Sequence, residues 1–132
     1  MSYPKLYKNR QVVRFKTLSE WLKWLDAHHD TVTEGVWMMI AKKASKGRER
    51  QWGLDYKDTR EGALCYGWID SLPNKLDENF YYLKVTPRRP KSVWSKINVM
   101  LIEDYNKRGV MHPAGMKEVE AAKADGRWDK AY

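Results

Sequence analysis

The connection at residues 73–79 constrains the fold of this chain more than any other segment. It is rich in proline, asparagine and aspartate, and it separates two β-prone segments at 68–72 and 80–86. Strands that are joined through a short run of turn formers pair most simply as an antiparallel hairpin. The second half of the chain therefore predicts a sheet that is at least partly antiparallel.

A helix is predicted over residues 18–29. Thr17 is followed by Glu20 at the spacing of a capping box. Apolar residues then recur at the spacing of a single helical face. These residues are Leu18, Trp21, Leu22 and Leu25. We expect this face of the helix to be buried.

Residues 11–15 and 36–41 are predicted strands. The first is a short β-prone run, and the second is continuously apolar, as in a strand that is covered on both faces. A second helix is predicted over residues 55–66, because Asp55 can cap its start and Gly67 can end it.

A third helix is predicted after the loop at residues 87–90. The two prolines of this loop exclude a helix or a central strand there. Ser92 can cap the helix that follows, and Gly109 marks its end. The apolar stripe of this helix is predicted to consist of Trp94, Ile97, Leu101 and Tyr105.

A fourth helix is predicted from Pro113, since proline suits the first helical turn, and it stops by Gly126. Its inward residues are predicted to be Met116, Val119 and Ala122. The elements together predict an α+β fold, with a small, mostly antiparallel sheet of about four strands packed with about four helices. A length of 132 residues suits one hydrophobic core, so we expect residues 1–132 to form a single domain.

The positive charge of the chain is concentrated in three windows. The formal net charge is +8, and residues 1–16, 42–51 and 84–96 are strongly basic, whereas the remainder is net acidic. If the windows meet on one face, that face would attract phosphates or carboxylates; the alternative is three separately solvated loops. The candidate basic surface consists of Lys42, Lys43, Lys46, Arg48, Lys91 and Lys96.

The apolar runs are too short for a membrane span, which requires about 20 residues. The first residues of the chain also lack the apolar part of a signal peptide. We therefore expect a cytoplasmic protein that does not insert into membranes. The single cysteine, Cys65, cannot form an internal disulfide, which fits a reducing compartment. The sequence does not indicate the oligomeric state.

Two short runs, residues 67–70 and 87–95, combine aromatic, acidic, basic and turn-forming residues densely enough to mark a candidate site. On a strand, the side chains two residues apart at 68 and 70 point to the same face. If the loop folds over that face, an arginine either pairs with Asp70 and fixes the loop, or binds a phosphate or carboxylate. The candidate ligand-binding residues are Trp68, Asp70, Arg88, Arg89, Ser92, Trp94 and Ser95.

Several motifs occur together in the chain: a Gly-Trp-Ile-Asp run, a Pro-Arg-Arg-Pro run followed by Lys-Ser-Val-Trp-Ser, and shorter matches before and after them. The matching positions are 36–37, 42–43, 63–71, 76–77, 86–95, Asn98, Ala122 and 126–128. In order and spacing they resemble the bacterial YdeI/OmpD-associated family, also called the bacteriocin-protection family, over nearly the whole chain. The resemblance implies a role in envelope stress and in tolerance of antimicrobial peptides. The OmpD part of the family label implies an outer-membrane partner, and the resemblance implies no catalytic residue.

The sequence supports a catalytic or metal site less well than it supports a ligand-binding site. Cys65 has no base that spacing singles out, and it fits a small buried apolar residue. His28 and His29 are adjacent on a helix, so they face different ways and suit its C-terminal dipole better than a metal. Asp70 and Asp77 form an acid-base pair only if the hairpin brings them together. We predict no catalytic residue, cofactor or metal.

The sequence leaves three functions open. The first is a non-enzymatic, cytoplasmic stress-protection protein that holds a small anionic ligand or an acidic partner at the aromatic and arginine residues. The second is weak, non-specific nucleic-acid binding, in which the basic windows attract the backbone and interleaved aromatic side chains stack on bases. The third is an enzyme that acts on a small phosphorylated or carboxylated metabolite.

Overall fold

Five strands form one sheet in the computed structural model of the chain, which describes residues 3–43 and 53–132. They are β1 (Leu6–Tyr7), β2 (Arg10–Val13), β3 (Val36–Ala41), β4 (Trp68–Lys75) and β5 (Phe80–Pro87). Their order across the sheet is β1-β2-β3-β5-β4, in which β2 and β3 run parallel and the other neighbours run antiparallel. The α+β fold and the mostly antiparallel sheet are confirmed, and β1 is a strand that the sequence did not predict.

The described ranges also contain four helices: α1 (Leu18–His28), α2 (Tyr56–Cys65), α3 (Lys96–Lys107) and α4 (Pro113–Ala124). The capping box of α1 is confirmed, because the amide of Glu20 donates to Thr17 while the amide of Thr17 donates to Glu20. Asp55 caps α2, and Gly67 follows that helix with a φ of 78°, a left-handed conformation that glycine adopts readily. None of these helices is long and apolar enough to cross a membrane.

The predicted hairpin is present, and its strands are longer than predicted. β4 does not end at Leu72 but runs through Pro73 to Lys75. It lies at the edge of the sheet, where no second neighbouring strand requires the N–H donor that proline lacks. The register shifts between Asp70 and Pro73, so the edge strand is irregular beside a candidate site residue. Pro87 is the last residue of β5, and the loop therefore begins one residue later than predicted.

The two faces of β3 bury separate apolar clusters, as predicted for its continuous apolar sequence. Met38 and Ile40 belong to the cluster that includes Trp21 and Leu25 of α1. Trp37, on the other face, belongs to a cluster with aromatic residues of β5. Trp21 and Leu25 have no exposed surface, which confirms these two positions of the predicted helical stripe.

The third helix begins later than predicted, because Ser95 and not Ser92 is its cap. The Oγ atom of Ser95 accepts a hydrogen bond of 3.1 Å from the amide of Asn98. Ser92 lies in a turn, where its amide donates to the carbonyl of Arg89 and where Lys91 adopts a φ of 61°. This turn keeps residues 92–95 out of the helix.

The predicted stripe of the third helix is partly wrong for the same reason. Trp94 precedes α3 and is buried, while Ile97 is exposed to solvent. The helix buries Tyr105, as predicted, and also Ile102, and the two form a further core cluster with Trp94, the end of α2 and α4. The start of α3 thus has an outward apolar side chain that the sequence pattern assigned to the core.

α4 packs closely against the end of α2. A Cβ atom at Gly115 would lie only 2.2 Å from the carbonyl oxygen of Cys65, so this contact requires glycine. Val119 and Ala122 are buried as predicted, and Met116 is partly exposed. The contact fixes the helical cluster beside β4, the strand that borders the site described next.

Candidate functional site

A cavity of about 380 Å³ lies at the edge of the sheet, between α2, β4 and the start of α3. We call it the Arg88 cavity. Its charged and polar lining consists mainly of Arg60, Asp70, Arg88, Ser92, Ser95 and Asn98. Asp70, Arg88, Ser92 and Ser95 are four of the ligand-binding residues that the sequence predicts. The cavity therefore brings together both of the motif runs on which that prediction was based.

Arg88 is buried and is held by neutral groups. Its Nε atom donates to Ser92 Oγ at 3.1 Å, and its Nη2 atom donates to the carbonyl of Val93 at 2.8 Å. The guanidinium carbon lies 3.8 Å from the centre of the Trp94 ring, a cation–π contact. The buried Nη1 atom has no hydrogen-bond partner among the described residues. The side chain is thus held in place with one donor group unsatisfied.

The charge of Arg88 is also not neutralised by a carboxylate. Among the described residues, no ion pair joins Arg88 to an acidic side chain. Burial is the main cause that lowers the pKa of the Arg88 guanidinium to about 10, although Glu118 opposes the shift. Arg88 is therefore still protonated at neutral pH, as a buried cation that is influenced by Glu118 and Tyr132 but forms no ion pair among the described residues.

Asp70 pairs with a tyrosine, so the predicted pair between Asp70 and an arginine is not present. The hydroxyl of Tyr56 donates to Asp70 Oδ2 at 3.0 Å. Burial, followed by the charge of Asp70, raises the pKa of Tyr56. Asp70 lies on β4 opposite α2, whereas the Arg88 side chain turns back on its own loop towards Ser92, and this separates the two groups.

Arg60 is a second arginine of the Arg88 cavity. Its guanidinium carbon lies 5.0 Å from the centre of the Tyr56 ring, and its buried Nε atom has no partner among the described residues. Neither Arg60 nor Tyr56 was predicted as a site residue. Both are on α2, and an arginine in a helix is normally a solvated surface residue, so the sequence around them carried no signal.

The first turn of α3 adds backbone groups to the same cavity. Ser95 and Asn98 line it and are joined by the capping hydrogen bond. Ile97 also lines it, and its amide has no acceptor among the described residues. The N-terminus of a helix carries a partial positive charge, which adds to the electrostatic effect of the two arginines.

A second cavity, of about 470 Å³, shares Ile69 and Ser92 with the first, and we call it the Arg89 cavity. Arg89, which is exposed, lines it together with the partly buried Lys84 and Arg10. The Nε atom of Arg10 donates to the backbone carbonyl of Glu34 at 2.7 Å. Two of the three basic windows thus meet in this cavity, and the consecutive arginines 88 and 89 line different cavities.

The other predicted binding residues lie elsewhere. Trp68 is buried in the core with its ring 6.4 Å from that of Trp21, and it lines neither cavity. Trp94 is also buried and supports Arg88 from behind. Trp37 and Tyr82 are core residues as well, so these aromatic side chains are not exposed for stacking on bases.

The candidate basic surface is divided by the fold. Lys42 and Lys43 follow the end of β3 that lies next to the β4–β5 turn, at the other end of the sheet from the Arg89 cavity. Lys91 and Lys96 are exposed and line neither cavity. Lys46 and Arg48 lie outside the described residues.

The residues that the sequence analysis considered for catalysis or metal binding are buried in the core or take part in helix caps and turns. Cys65 is buried, and this burial raises the pKa of its thiol to about 12. His112 caps α4, and its Nε2 atom lies 3.7 Å from Asp26. Asp77 accepts hydrogen bonds in the β4–β5 turn, away from Asp70. Within the described residues, no group of three His, Cys, Asp or Glu side chains is placed to hold a metal ion.

Comparison with known sequences identifies a family but no activity. Residues 13–118 match the sequence model of a domain of unknown function, DUF8412, and the chain belongs to that family. No curated protein and no solved structure matches the chain. The resemblance to the YdeI/OmpD-associated family stays a prediction.

Proposed function

We propose that this DUF8412 domain binds a small molecule through an anionic group, a carboxylate or a phosphate, in the Arg88 cavity, without catalysing a reaction. The observation that carries the proposal is the unsatisfied Nη1 atom of a buried, protonated arginine that lines a cavity. Buried polar groups are nearly always hydrogen-bonded, and buried charges are normally paired. An oxyanion in the cavity would balance the charge of Arg88, and it would bond Nη1 once the guanidinium turns this closed-off atom towards the cavity.

The rest of the cavity supports an anion over a cation. Arg60 and Arg88 carry two positive charges against the single carboxylate of Asp70, which already accepts the hydrogen bond from Tyr56. The start of α3 points its partial positive charge at the same space. Arginine is suited to this task, because its planar guanidinium remains charged and matches the geometry of carboxylates and phosphates.

The cellular role that we propose is cytoplasmic stress protection. It is supported by the resemblance to the bacteriocin-protection family. In this role the protein would act by holding an anionic ligand or the acidic group of a partner.

Non-specific nucleic-acid binding is the alternative that the basic residues favour. The meeting of Arg10, Lys84 and Arg89 in one cavity would attract a phosphate backbone. Most of the aromatic side chains that were expected to stack on bases are in the core, which weakens this alternative; they are Trp37, Trp68, Tyr82 and Trp94. An enzyme acting on a phosphorylated or carboxylated metabolite is the other alternative.

Calorimetric titration with inorganic phosphate and with acetate at low salt tests the proposal. We expect weak, saturable binding of these anions with one site per chain, and we expect Arg60→Gln and Arg88→Gln each to lower the affinity about tenfold or more. Charge-assisted hydrogen bonds of about 1.5 to 3 kcal/mol justify this magnitude.

Lys117→Gln is the matched control, because Lys117 is exposed and lines neither cavity. It removes the same charge and should change the affinity less than about twofold. Circular dichroism confirms that each variant is folded. Equal losses in all three variants would show that the anions respond only to net charge, which contradicts a specific site. Tight, saturable binding of a single-stranded oligonucleotide at physiological salt would favour the nucleic-acid alternative.

A further inference from the structure

Large aliphatic side chains are exposed on the lining of the Arg88 cavity and beside it on α3. Val93 is 71% exposed, Ile97 is 62% exposed and Met100 is 68% exposed. Val93 and Ile97 line the cavity itself. Met100 lies three residues after Ile97 on α3, so the two side chains share one face of the helix. An apolar surface therefore continues outward from the cavity along α3.

This surface is not a consequence of how α3 packs. The helix buries Ile102 and Tyr105 on its other side, in the cluster that it forms with α2 and α4. A single exposed apolar residue is normal in a folded protein, and it needs no explanation. Adjacent ones beside a cavity are different, since exposed apolar patches tend to mark binding sites.

We infer that the ligand is an amphiphile, with an anionic head in the Arg88 cavity and an apolar chain or ring along Val93, Ile97 and Met100. The inference rests on the proposed function for the head group. The positive charge of Arg60 and Arg88 next to these side chains selects this occupant, because a wholly apolar partner would leave the guanidinium groups unpaired.

The size of the cavity agrees with a ligand whose head group lies inside it and whose apolar group lies outside. A volume of about 380 Å³ falls in the lower part of the usual range for small-molecule pockets, roughly 300 to 1,000 Å³. A long apolar group would extend beyond the cavity and cover the exposed face of α3. Its contribution to affinity should then depend on its length.

Calorimetric titrations with a series of straight-chain alkanoates test the inference, with concentrations kept below those at which micelles form. We expect the affinity to rise about twofold to fourfold for each added methylene, until the chain passes Met100. The upper value corresponds to about 0.8 kcal/mol for a fully buried methylene. Alkanols and alkylammonium ions of the same lengths should bind at least about tenfold more weakly, because they lack the anionic head.

The double variant Ile97→Gln, Met100→Gln tests the apolar surface. Glutamine is a good helix former, so α3 should remain intact. We expect the gain per methylene to fall below about 1.5-fold in this variant. Leu72→Gln is the matched control, because Leu72 is 50% exposed on β4 and lines neither cavity. It should leave the gain per methylene unchanged.

The outcomes separate this inference from the proposed function. Alkanoates that bind with the same affinity at every length would overturn the amphiphile while leaving the anion site intact. Alkanols that bind as well as alkanoates would overturn the anionic head, and with it the proposed function. Concentration-dependent dimerisation that the double variant abolishes would show that a second copy of the chain covers this surface, and would overturn the inference.

Discussion

Two consecutive residues of α2 are placed in contrasting surroundings. Thr59 has no exposed surface, and its polar groups are satisfied: its carbonyl accepts from Trp21 Nε1 at 3.0 Å, and its hydroxyl donates to the carbonyl of Asp55 at 2.9 Å. Arg60 faces the Arg88 cavity, with a buried Nε atom that has no partner among the described residues. The hydrogen-bonding groups of Thr59 are satisfied within the protein, whereas Arg60 keeps an unsatisfied donor.

The difference indicates what each side is for. A satisfied buried network stabilises a unique arrangement, whereas an unsatisfied buried donor costs about 1 to 3 kcal/mol. Both arginines that line the Arg88 cavity have such a donor. Substitutions on the Thr59 side should therefore reduce stability and leave anion binding unchanged, whereas substitutions of the arginines at the Arg88 cavity should abolish binding.

The largest effect on stability is expected for Leu25→Ala. Leu25 has no exposed surface and packs in the cluster between α1 and β3, so its truncation removes buried area and leaves a cavity. We expect a loss of about 2 to 5 kcal/mol in the free energy of unfolding, measured by urea denaturation. Anion affinity in the folded variant should be unchanged. A loss below about half a kcal/mol would show that this side of α1 is not core.

Arg88→Gln should have an intermediate effect on stability. The variant loses the hydrogen bonds to Ser92 and Val93 and the contact with Trp94, but it also removes a buried charge that forms no ion pair among the described residues. We expect a net loss of about 1 to 3 kcal/mol by urea denaturation, together with the loss of anion binding. Saturating phosphate should raise the midpoint of thermal unfolding of the unmodified chain and not that of the variant.

The opposite result for Arg88 would also be informative. A loss of about 3 to 5 kcal/mol is the usual effect of breaking a buried ion pair. Such a value would mean that Arg88 neutralises an acidic group in the folded protein, and that the arrangement of unpaired donors described here is wrong. Lys117→Gln serves again as the control for net charge.

Much of the fold was predictable because its signals are local. The capping box of Thr17 and Glu20, the end of α2 at Gly67 and the β4–β5 turn each depend on residues that are close in sequence. The predicted start of α3 was wrong because two nearby residues carry the same capping signal. Ser92 and Ser95 are both good caps, and only the turn around Lys91 decides between them.

The site was only half predictable, because it depends on contacts between distant segments. Sequence motifs identified Asp70, Arg88, Ser92 and Ser95, which lie in dense runs on β4 and in the following loop. Arg60 reaches the same cavity only through the packing of α2 against the sheet, which no spacing in the sequence encodes. The pairing of Asp70 with Tyr56 could not be predicted for the same reason.

The smallest effects are expected for Arg89→Gln and Asp70→Asn, which change Asp70 and one of the two arginines, 88 and 89, that the sequence offered as its partner. Arg89 is exposed, so its substitution should change the free energy of unfolding by less than about half a kcal/mol. Asparagine at position 70 can still accept the hydrogen bond from Tyr56, so Asp70→Asn should cost less than about 1 kcal/mol. Asp70→Asn should also raise phosphate affinity, because it removes the carboxylate from the Arg88 cavity. Strong destabilisation by both variants in urea would restore the predicted ion pair and remove the contrast between the neighbouring arginines 88 and 89.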